Sequence, residues 1–261
     1  MTDFRKYVVN AIILIAGMFA CDFSFAKVGP KVVKVGTVEF PPYIVVEKDG
    51  RITGIVAELI DFMNSAQKDY KFQPVLTSAM RRHSDFANGL YDLSFFDDLN
   101  WGWDKSAVDV SKVYMKGKEV YIARAKPGRG ESYFQSFKDK TMIGILGYHY
   151  AFANFNADPG YLRKEFKMQL STSNAGSIKM VLDGRGDVAV VSDSFLHQYL
   201  VSHPDEKDKL LVSKKVDQYY LFTIIVRKNI RPTVKEINAL LKQFEESRQY
   251  AELKVQYGIA R

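Results

Sequence analysis

The stretch Gly89 to Ser111, GLYDLSFFDDLNWGWDKSAVDVS, decides how the rest of the chain is interpreted. Gly89 is typical of a helix end, and Asp92 to Phe96 has the composition of a short strand. Three aspartates and two tryptophans follow within eight residues: Asp97, Asp98, Trp101, Trp103 and Asp104. Because ligands bind beyond the carboxyl ends of strands in open α/β sheets, this loop predicts one wall of a binding cleft.

The segments around this stretch alternate between strand and helix patterns. Lys31 to Phe40 alternates in a β-rich pattern, and Gly54 to Ala66 has apolar residues at helical spacing. Between them, Pro41-Pro42-Tyr43 forces an extended turn, because each proline fixes φ and restrains the residue before it. Farther along, Asn174 to Leu182 predicts a helix and Val188 to Val191 a buried strand. The pattern indicates an α/β protein.

The ordered set of segments resembles the bacterial extracellular solute-binding proteins, family 3, of the polar amino-acid-binding type. The strand, proline turn, helix and Gly89-x-x-Asp92 are similar to its first lobe, and Arg185 to Asp193 is similar to its second-lobe signature, G-R-x-D-A-φ-φ-x-D with φ apolar. The likeness extends over residues 31–261. It implies a periplasmic-binding-protein-like α/β fold of type II, with two α/β lobes joined by two hinge crossings.

The same resemblance predicts where the lobes begin and end. Lobe I would comprise residues 27–124 and 219–261, and lobe II residues 125–218. The hinge strands are expected near Tyr121 to Arg124 and near Gln218 to Phe222. Movement about such hinges would close the lobes on a ligand.

The first 26 residues have the pattern of a secretory signal peptide. Arg5 and Lys6 form a basic start, Val8 to Ala20 an apolar core, and Ser24-Phe25-Ala26 a small-x-small cleavage site. This predicts export to the periplasm. Cys21, the only cysteine, is either discarded with the signal or is a lipid-attachment residue, so the mature chain forms no internal disulfide.

Charge and motifs favour a binding protein over an enzyme. The chain has 37 basic and 30 acidic residues, a net charge of +7, but the two signs are interspersed, as on a solvated surface, and no nucleic-acid motif occurs. The four histidines have no zinc spacing, and neither a nucleophile elbow nor a phosphate-binding glycine loop is present. We therefore predict no catalytic activity, cofactor or metal.

The resemblance also implies ligand-binding positions in the first lobe. Phe40 holds the place of an aromatic residue that stacks on the ligand, although core packing is an equal alternative. Arg81 holds the place of an arginine that some members carry, and it would meet an anion or lie in solvent. Trp101 would face the cleft or pack within the lobe.

Two departures from the family pattern bear on the ligand. Asp104 stands where amino-acid binders carry the carboxylate-binding arginine, which reverses the local charge. Tyr148 and His149 replace the Ser or Thr that follows a glycine in lobe II.

Asp193 matches the acid that receives the ligand's amino group. The expected ligand-binding residues are Phe40, Tyr43, Arg81, Asp97, Trp101, Asp104, Tyr148, His149 and Asp193.

Acidic and aromatic residues together would suit a cationic or amine ligand, whereas Arg81 and His149 keep a zwitterion or an acid open. The expected function is a monomeric periplasmic receptor that captures a small polar solute for an inner-membrane ABC permease. Two alternatives remain. One is a periplasmic module that senses a ligand or partner without transport. The other is an enzyme resembling cyclohexadienyl dehydratase, which Asp104 in the arginine position disfavours.

Overall fold

The computed structural model describes residues Gly29 to Tyr257, so the expected signal peptide and Cys21 lie outside the described residues. The strands are β1 (Lys31–Thr37), β2 (Val45–Val46), β3 (Ile52–Thr53), β4 (Tyr70–Leu76), β5 (Leu93–Asp97), β6 (Val108–Val110), β7 (Met115–Arg124), β8 (Met142–Ile145), β9 (Gln169–Ser171), β10 (Val188–Ser192) and β11 (Leu210–Arg227). The α-helices are α1 (Ile55–Ser65), α2 (Arg82–Ala87), α3 (Pro159–Phe166), α4 (Asn174–Leu182), α5 (Asp193–Ser202), α6 (Val234–Glu245) and α7 (Arg248–Gln256).

The main sheet runs in the order β4-β1-β5-β11-β7-β10-β8-β9, and β6 also pairs with β11. β1 is parallel to β4 and β5, and β8 is parallel to β9 and β10. β7 and β11, antiparallel to each other, join these two parallel groups. We call β1, β4, β5 and β6 with α1, α2, α6 and α7 the first lobe, and β8 to β10 with α3 to α5 the second lobe.

Each lobe has its own buried apolar clusters, which explains why the sequence alternates as it does. In the first lobe, the helical spacing of α1 buries Ile55, Leu59 and Met63 against β1 residues such as Val33. In the second lobe, Val188 to Val191 of β10 is buried on both faces. A continuous apolar run is what a parallel strand covered by helices requires.

Strand β11 has 18 residues and runs from one lobe into the other. It pairs with β7 from Leu210 to Phe222, and with β5 and β6 from Thr223 to Arg227. Its pairing with β7 shifts register between Val212 and Gln218. Such irregularities bend a strand.

The first crossing lies earlier in the chain than Tyr121 to Arg124, where the sequence placed it. Val120 and Ile122 pack in one cluster of the second lobe, and Tyr121 and Ala123 pack in the other. From Val120 to Ala123, both faces of β7 therefore pack within the second lobe. The residue before this stretch, Glu119, also pairs with Ser192 of β10. β7 thus passes between the lobes before Val120.

Within Gly29–Tyr257, no helix combines the length and the apolar content that a membrane span requires.

Candidate functional site

A cavity lies where the two lobes meet beside β7 and β11. Its empty space, counted out to the open mouth, is about 450 Å³. The first lobe contributes most of its walls, and residues of β7, of β11 and of the segment after β8 complete them. The lining residues are Val38, Phe40, Ile44, Arg82, Ser94, Phe95, Phe96, Asp97, Trp101, Glu119, Tyr148, His149 and Gln218.

Asp97, at the end of β5, is buried and accepts three hydrogen bonds from uncharged donors of the first lobe. Trp103 Nε1 donates to Oδ1 over 2.7 Å, Asp98 N donates to the same oxygen over 3.0 Å, and Ser94 Oγ donates to Oδ2 over 2.9 Å. These donors offset the cost of burying the carboxyl group away from water. Phe96, just before it, has a φ of 52°, so the chain leaves the regular strand at this point.

Arg82 on α2 is only 6% exposed, and its guanidinium reaches three neighbours. Nη2 donates to the carbonyl oxygen of Trp101 over 3.1 Å and lies 2.8 Å from Nδ1 of His149. Nη1 lies 3.9 Å from Oδ1 of Asp97, beyond hydrogen-bond length. The contact with His149 is a bond between the lobes, because α2 belongs to the first and His149 to the second.

Tyr148 closes the cavity from the second lobe. Its ring centroid is 5.7 Å from that of Phe40 at an interplanar angle of 90°, and its hydroxyl donates to the carbonyl oxygen of Glu39 over 2.9 Å. Phe40 also contacts Trp101 and Tyr220 edge to face. Phe40 is therefore enclosed by aromatic rings, and a ligand that stacks on it has to displace Tyr148 or enter with the lobes apart.

Gln218 on β11 connects the two lobes at the base of the cavity. Its Oε1 accepts from Trp101 Nε1 over 3.0 Å, and its Nε2 donates to Glu119 Oε2 over 2.7 Å and to the carbonyl oxygen of His149 over 2.6 Å. One amide thus bonds the first lobe, β7 and the second lobe at once. Moving the lobes apart has to break at least one of these bonds.

Burial changes the charge of two titratable groups in the cavity. Glu119 is 3% exposed, and desolvation, with the charge of Asp217 nearby, raises its pKa to about 8. Burial and the adjacent Arg82 lower the pKa of His149 to about 3. Near neutral pH most Glu119 is therefore protonated and His149 is neutral.

The structure brings together five of the nine residues that the sequence analysis selected: Phe40, Asp97, Trp101, Tyr148 and His149 line the cavity. The other four lie elsewhere. The hydroxyl of Tyr43 accepts from Ser194, and the exposed Arg81 lies 4.0 Å from Asp85. The exposed Asp104 accepts from the backbone and side chain of Ser106 in its own turn, and Asp193 lies 3.5 Å from Lys118.

Sequence reasoning missed four polar residues of the cavity: Arg82, Ser94, Glu119 and Gln218. Arg82 is next to the selected Arg81, and only the orientation of the short helix α2 distinguishes them. A signal for Glu119 existed, because it is the one acid in the strand pattern Val113 to Arg124. In the part of the chain that the structure describes, no cluster of three metal-ligating side chains occurs.

The comparison with protein families decides the relationship of the chain. Residues 33–260 match the model of the bacterial extracellular solute-binding proteins, family 3. The chain belongs to this family. A comparison with curated proteins gives no match.

Solved structures of substrate-binding proteins share the fold at low sequence identity. An ABC uptake transporter substrate-binding protein from Streptococcus pneumoniae with bound histidine matches with a TM-score of 0.67 and 18% identity over 87% of this chain and 92% of that one. A mutant of ArgBP from T. maritima matches with a TM-score of 0.65 and 18% identity over 87% and 95%. These matches show the mixed α/β periplasmic-binding-protein fold of type II.

Two further matches illustrate how widely this fold is used. A histidine kinase sensor domain with similarity to periplasmic binding proteins matches with a TM-score of 0.68 and 16% identity over 88% of this chain and 97% of that one. An ancestral amino acid-binding protein, a precursor of cyclohexadienyl dehydratase, matches with a TM-score of 0.62 and 20% identity over 87% and 95%. Family 3 consists mainly of extracellular binding proteins rather than enzymes.

Proposed function

We propose that the protein is an exported, non-enzymatic receptor that binds a small polar solute between its lobes and delivers it to an inner-membrane ABC transporter. The observation that carries the proposal is the cavity, which polar side chains of both lobes line: Arg82 and Asp97 from the first, His149 from the second. Family membership agrees with it, and so do two solved relatives, the substrate-binding protein of an amino acid ABC transporter and that of an ABC uptake transporter with bound histidine.

Closure by a solute is energetically reasonable for this cavity. The direct bonds between the lobes are few, and each neutral one is worth about 0.5–1.5 kcal/mol net. When open and closed forms differ by only a few kcal/mol, the minor form is still populated, and a solute that contacts both lobes stabilises the closed form. The narrow cavity restricts the solute to a small molecule, unless Tyr148 moves.

The direct bonds between the lobes favour a second candidate function, a sensing module that works without transport. Arg82 bonds to His149, and Tyr148 bonds to the carbonyl oxygen of Glu39. A cleft closed by the protein's own side chains could present a fixed surface to a partner protein. The two functions differ in whether a small solute binds.

The experiment is a thermal-shift and calorimetric screen of the chain from Lys27 to Arg261 against amino acids, amines, betaines, organic acids and small sugars. A solute at a hundredfold excess over its Kd adds roughly 2.7 kcal/mol to the free energy of unfolding, so the Tm rises. We expect at least one solute to raise it. If the whole panel has no effect, the transport proposal fails and the sensing module takes its place.

A matched pair of variants locates the binding site of any solute found. Val38 lines the cavity, whereas Val32 on β1 is 46% exposed and lies outside it. Val38→Trp fills the cavity and is expected to remove the Tm rise, while Val32→Trp keeps it. Equal binding by both variants would place the solute elsewhere and contradict the proposal.

A further inference from the structure

We infer that the solute carries an anionic group, a carboxylate or another oxyanion, which Arg82 and His149 bind at the edge of the cavity beside His83. The inference rests on the proposed function, because it names the class of solute for the same cavity. It is argued from which polar groups of the cavity already have partners and which do not.

The first observation is that Arg82 has hydrogen-bonding capacity left over. A guanidinium has five N–H donors. Nη2 uses its two on Trp101 and His149, and Nη1 is 3.9 Å from the nearest carboxylate oxygen. Nε is buried, and no atom of residues 29–257 accepts a hydrogen bond from it. A buried donor without a partner is costly, so an incoming acceptor gains more here than at the surface.

Asp97 does not supply the missing acceptor. Its two oxygens already accept from Ser94, Trp103 and the backbone of Asp98. The two members of the Arg82 and Asp97 pair are thus unequally satisfied: the carboxylate has three other donors, whereas the guanidinium lacks a close anionic acceptor. The imbalance favours an anionic ligand.

His149 contributes a second donor whose direction the structure fixes. Arginine only donates, so Nδ1 of His149 must accept the bond from Nη2 of Arg82. A neutral imidazole with an accepting Nδ1 carries its proton on Nε2. That Nε2–H is a further donor for an anion, and it lies beside Gly102 at the edge of the first lobe.

His83 stands next to this donor. A Cβ built on Gly102 would lie 3.0 Å from Nε2 of His149 and 3.5 Å from Nε2 of His83, so the two imidazoles converge on one small space. Nε2 of His83 is buried and, among the described atoms, has no hydrogen-bond partner. Burial and Arg82 lower the pKa of His83, and an anion bound here would oppose that effect.

The cavity offers little to a cation by comparison. Among the described residues that line it, the carboxyl groups are those of Asp97, which is already satisfied, and Glu119. Because the pKa of Glu119 is raised to about 8, most of this group is uncharged near neutral pH. The other aspartates considered for an amine, Asp104 and Asp193, lie outside the cavity. An amine would therefore be desolvated without meeting a free carboxylate.

The test measures, by calorimetry on the chain from Lys27 to Arg261, binding of succinate, glutamate, inorganic phosphate and sulfate, against putrescine and cadaverine. Constant ionic strength keeps screening equal. At least one anion is expected to bind, and the diamines are not. Binding of a diamine with no anion overturns the inference but leaves the proposed function intact. If neither class binds and the wider panel is also silent, the proposed function fails with it.

Neighbouring arginines provide the matched variants. Losing charge-assisted hydrogen bonds, worth about 1.5–3 kcal/mol, should weaken anion binding by roughly 10- to 100-fold in Arg82→Gln, while Arg81→Gln keeps the wild-type affinity. If Arg82→Gln does not fold, His149→Phe, which keeps a ring but removes the donor, is expected to lose about tenfold. Unchanged affinity in the informative variant, or a loss in Arg81→Gln alone, overturns the inference.

Discussion

Replacing Glu119 by glutamine is expected to make the protein more stable at about pH 8 and to leave its stability at about pH 4 unchanged. Glu119 is buried in β7, and its pKa in the folded protein is raised to about 8 from the ordinary value of 4.5. Glutamine keeps an oxygen that can accept from Gln218, so the substitution removes the ionisation rather than the hydrogen bond.

The sign follows from proton binding. Below the unfolded pKa of 4.5, Glu119 is protonated in both states. Between 4.5 and about 8 the unfolded chain loses this proton and the folded protein keeps it, so the free energy of unfolding falls as pH rises. Each pKa unit corresponds to about 1.4 kcal/mol, so the wild type loses a few kcal/mol across this window and Glu119→Gln does not.

Urea unfolding of both proteins at several pH values measures the difference. Asp217, whose pKa burial also raises, is present in both proteins, so the difference between them arises from Glu119 and its interaction with Asp217. Glu165→Gln, at an exposed position, is the control and should follow the wild type at every pH. Parallel stability curves for Glu119→Gln and wild type would mean that Glu119 ionises freely in the folded protein.

Asp97→Ala is expected to destabilise the protein by about 3–5 kcal/mol, because it leaves the buried charge of Arg82 without its counter-ion. It also removes the acceptor of Trp103 Nε1 and of Ser94 Oγ. Asp104→Ala, at an exposed position that bonds only within its own turn, should leave the stability close to that of the wild type.

Chemical denaturation of Asp97→Ala, Asp104→Ala, Arg82→Met and the double variant Arg82→Met/Asp97→Ala checks this account of the pair. If the cost arises mainly from the unpaired guanidinium, the double variant is more stable than Asp97→Ala alone. A double variant that is less stable by the sum of both single losses would show that the two side chains act independently.

The fold could be predicted from the sequence because each element has its own local pattern and the elements follow one another in a characteristic order. The proline turn, the helix from Gly54 and the strand Val188 to Val191 each have a distinct pattern, and their order is what resembles family 3. Residues directly at strand ends, such as Asp97, were also found, because the end of a strand can be located from its apolar run.

The rest of the cavity depends on features that a pattern does not fix. Successive residues of a helix point about 100° apart, so at the start of the short α2 one position separates the exposed Arg81, which precedes the helix, from the buried Arg82. Glu119 and Gln218 meet through the register of two long strands, which shifts near Val216. Such pairing is set by the whole sheet and not by either segment.

The two aspartates that lie outside the cavity show a different limit. Asp104 bonds to its own turn, and Asp193 faces Lys118 of β7. Position in a family pattern predicts where a residue lies along the chain. It does not predict whether a local partner already uses its carboxylate, so their ligand-binding roles remain predictions that the cavity geometry does not support.

The most direct test of solute binding between the lobes is a measurement of the distance from one lobe to the other. Gly147 of the second lobe lies against Ala79 and Met80 of the first. Thr172 is also in the second lobe: it follows Ser171, whose carbonyl oxygen accepts a hydrogen bond from Leu146, the residue before Gly147. Spin labels at Met80→Cys and Thr172→Cys are the only thiol labels in a chain that begins at Lys27. Pulsed electron paramagnetic resonance then reports the distribution of distances between the lobes.

The account predicts that a solute found in the screen narrows this distribution onto the short distance of the closed structure, and that Val38→Trp abolishes the change. A distribution that stays the same or lengthens at saturating solute would contradict the claim that the solute bridges the two lobes.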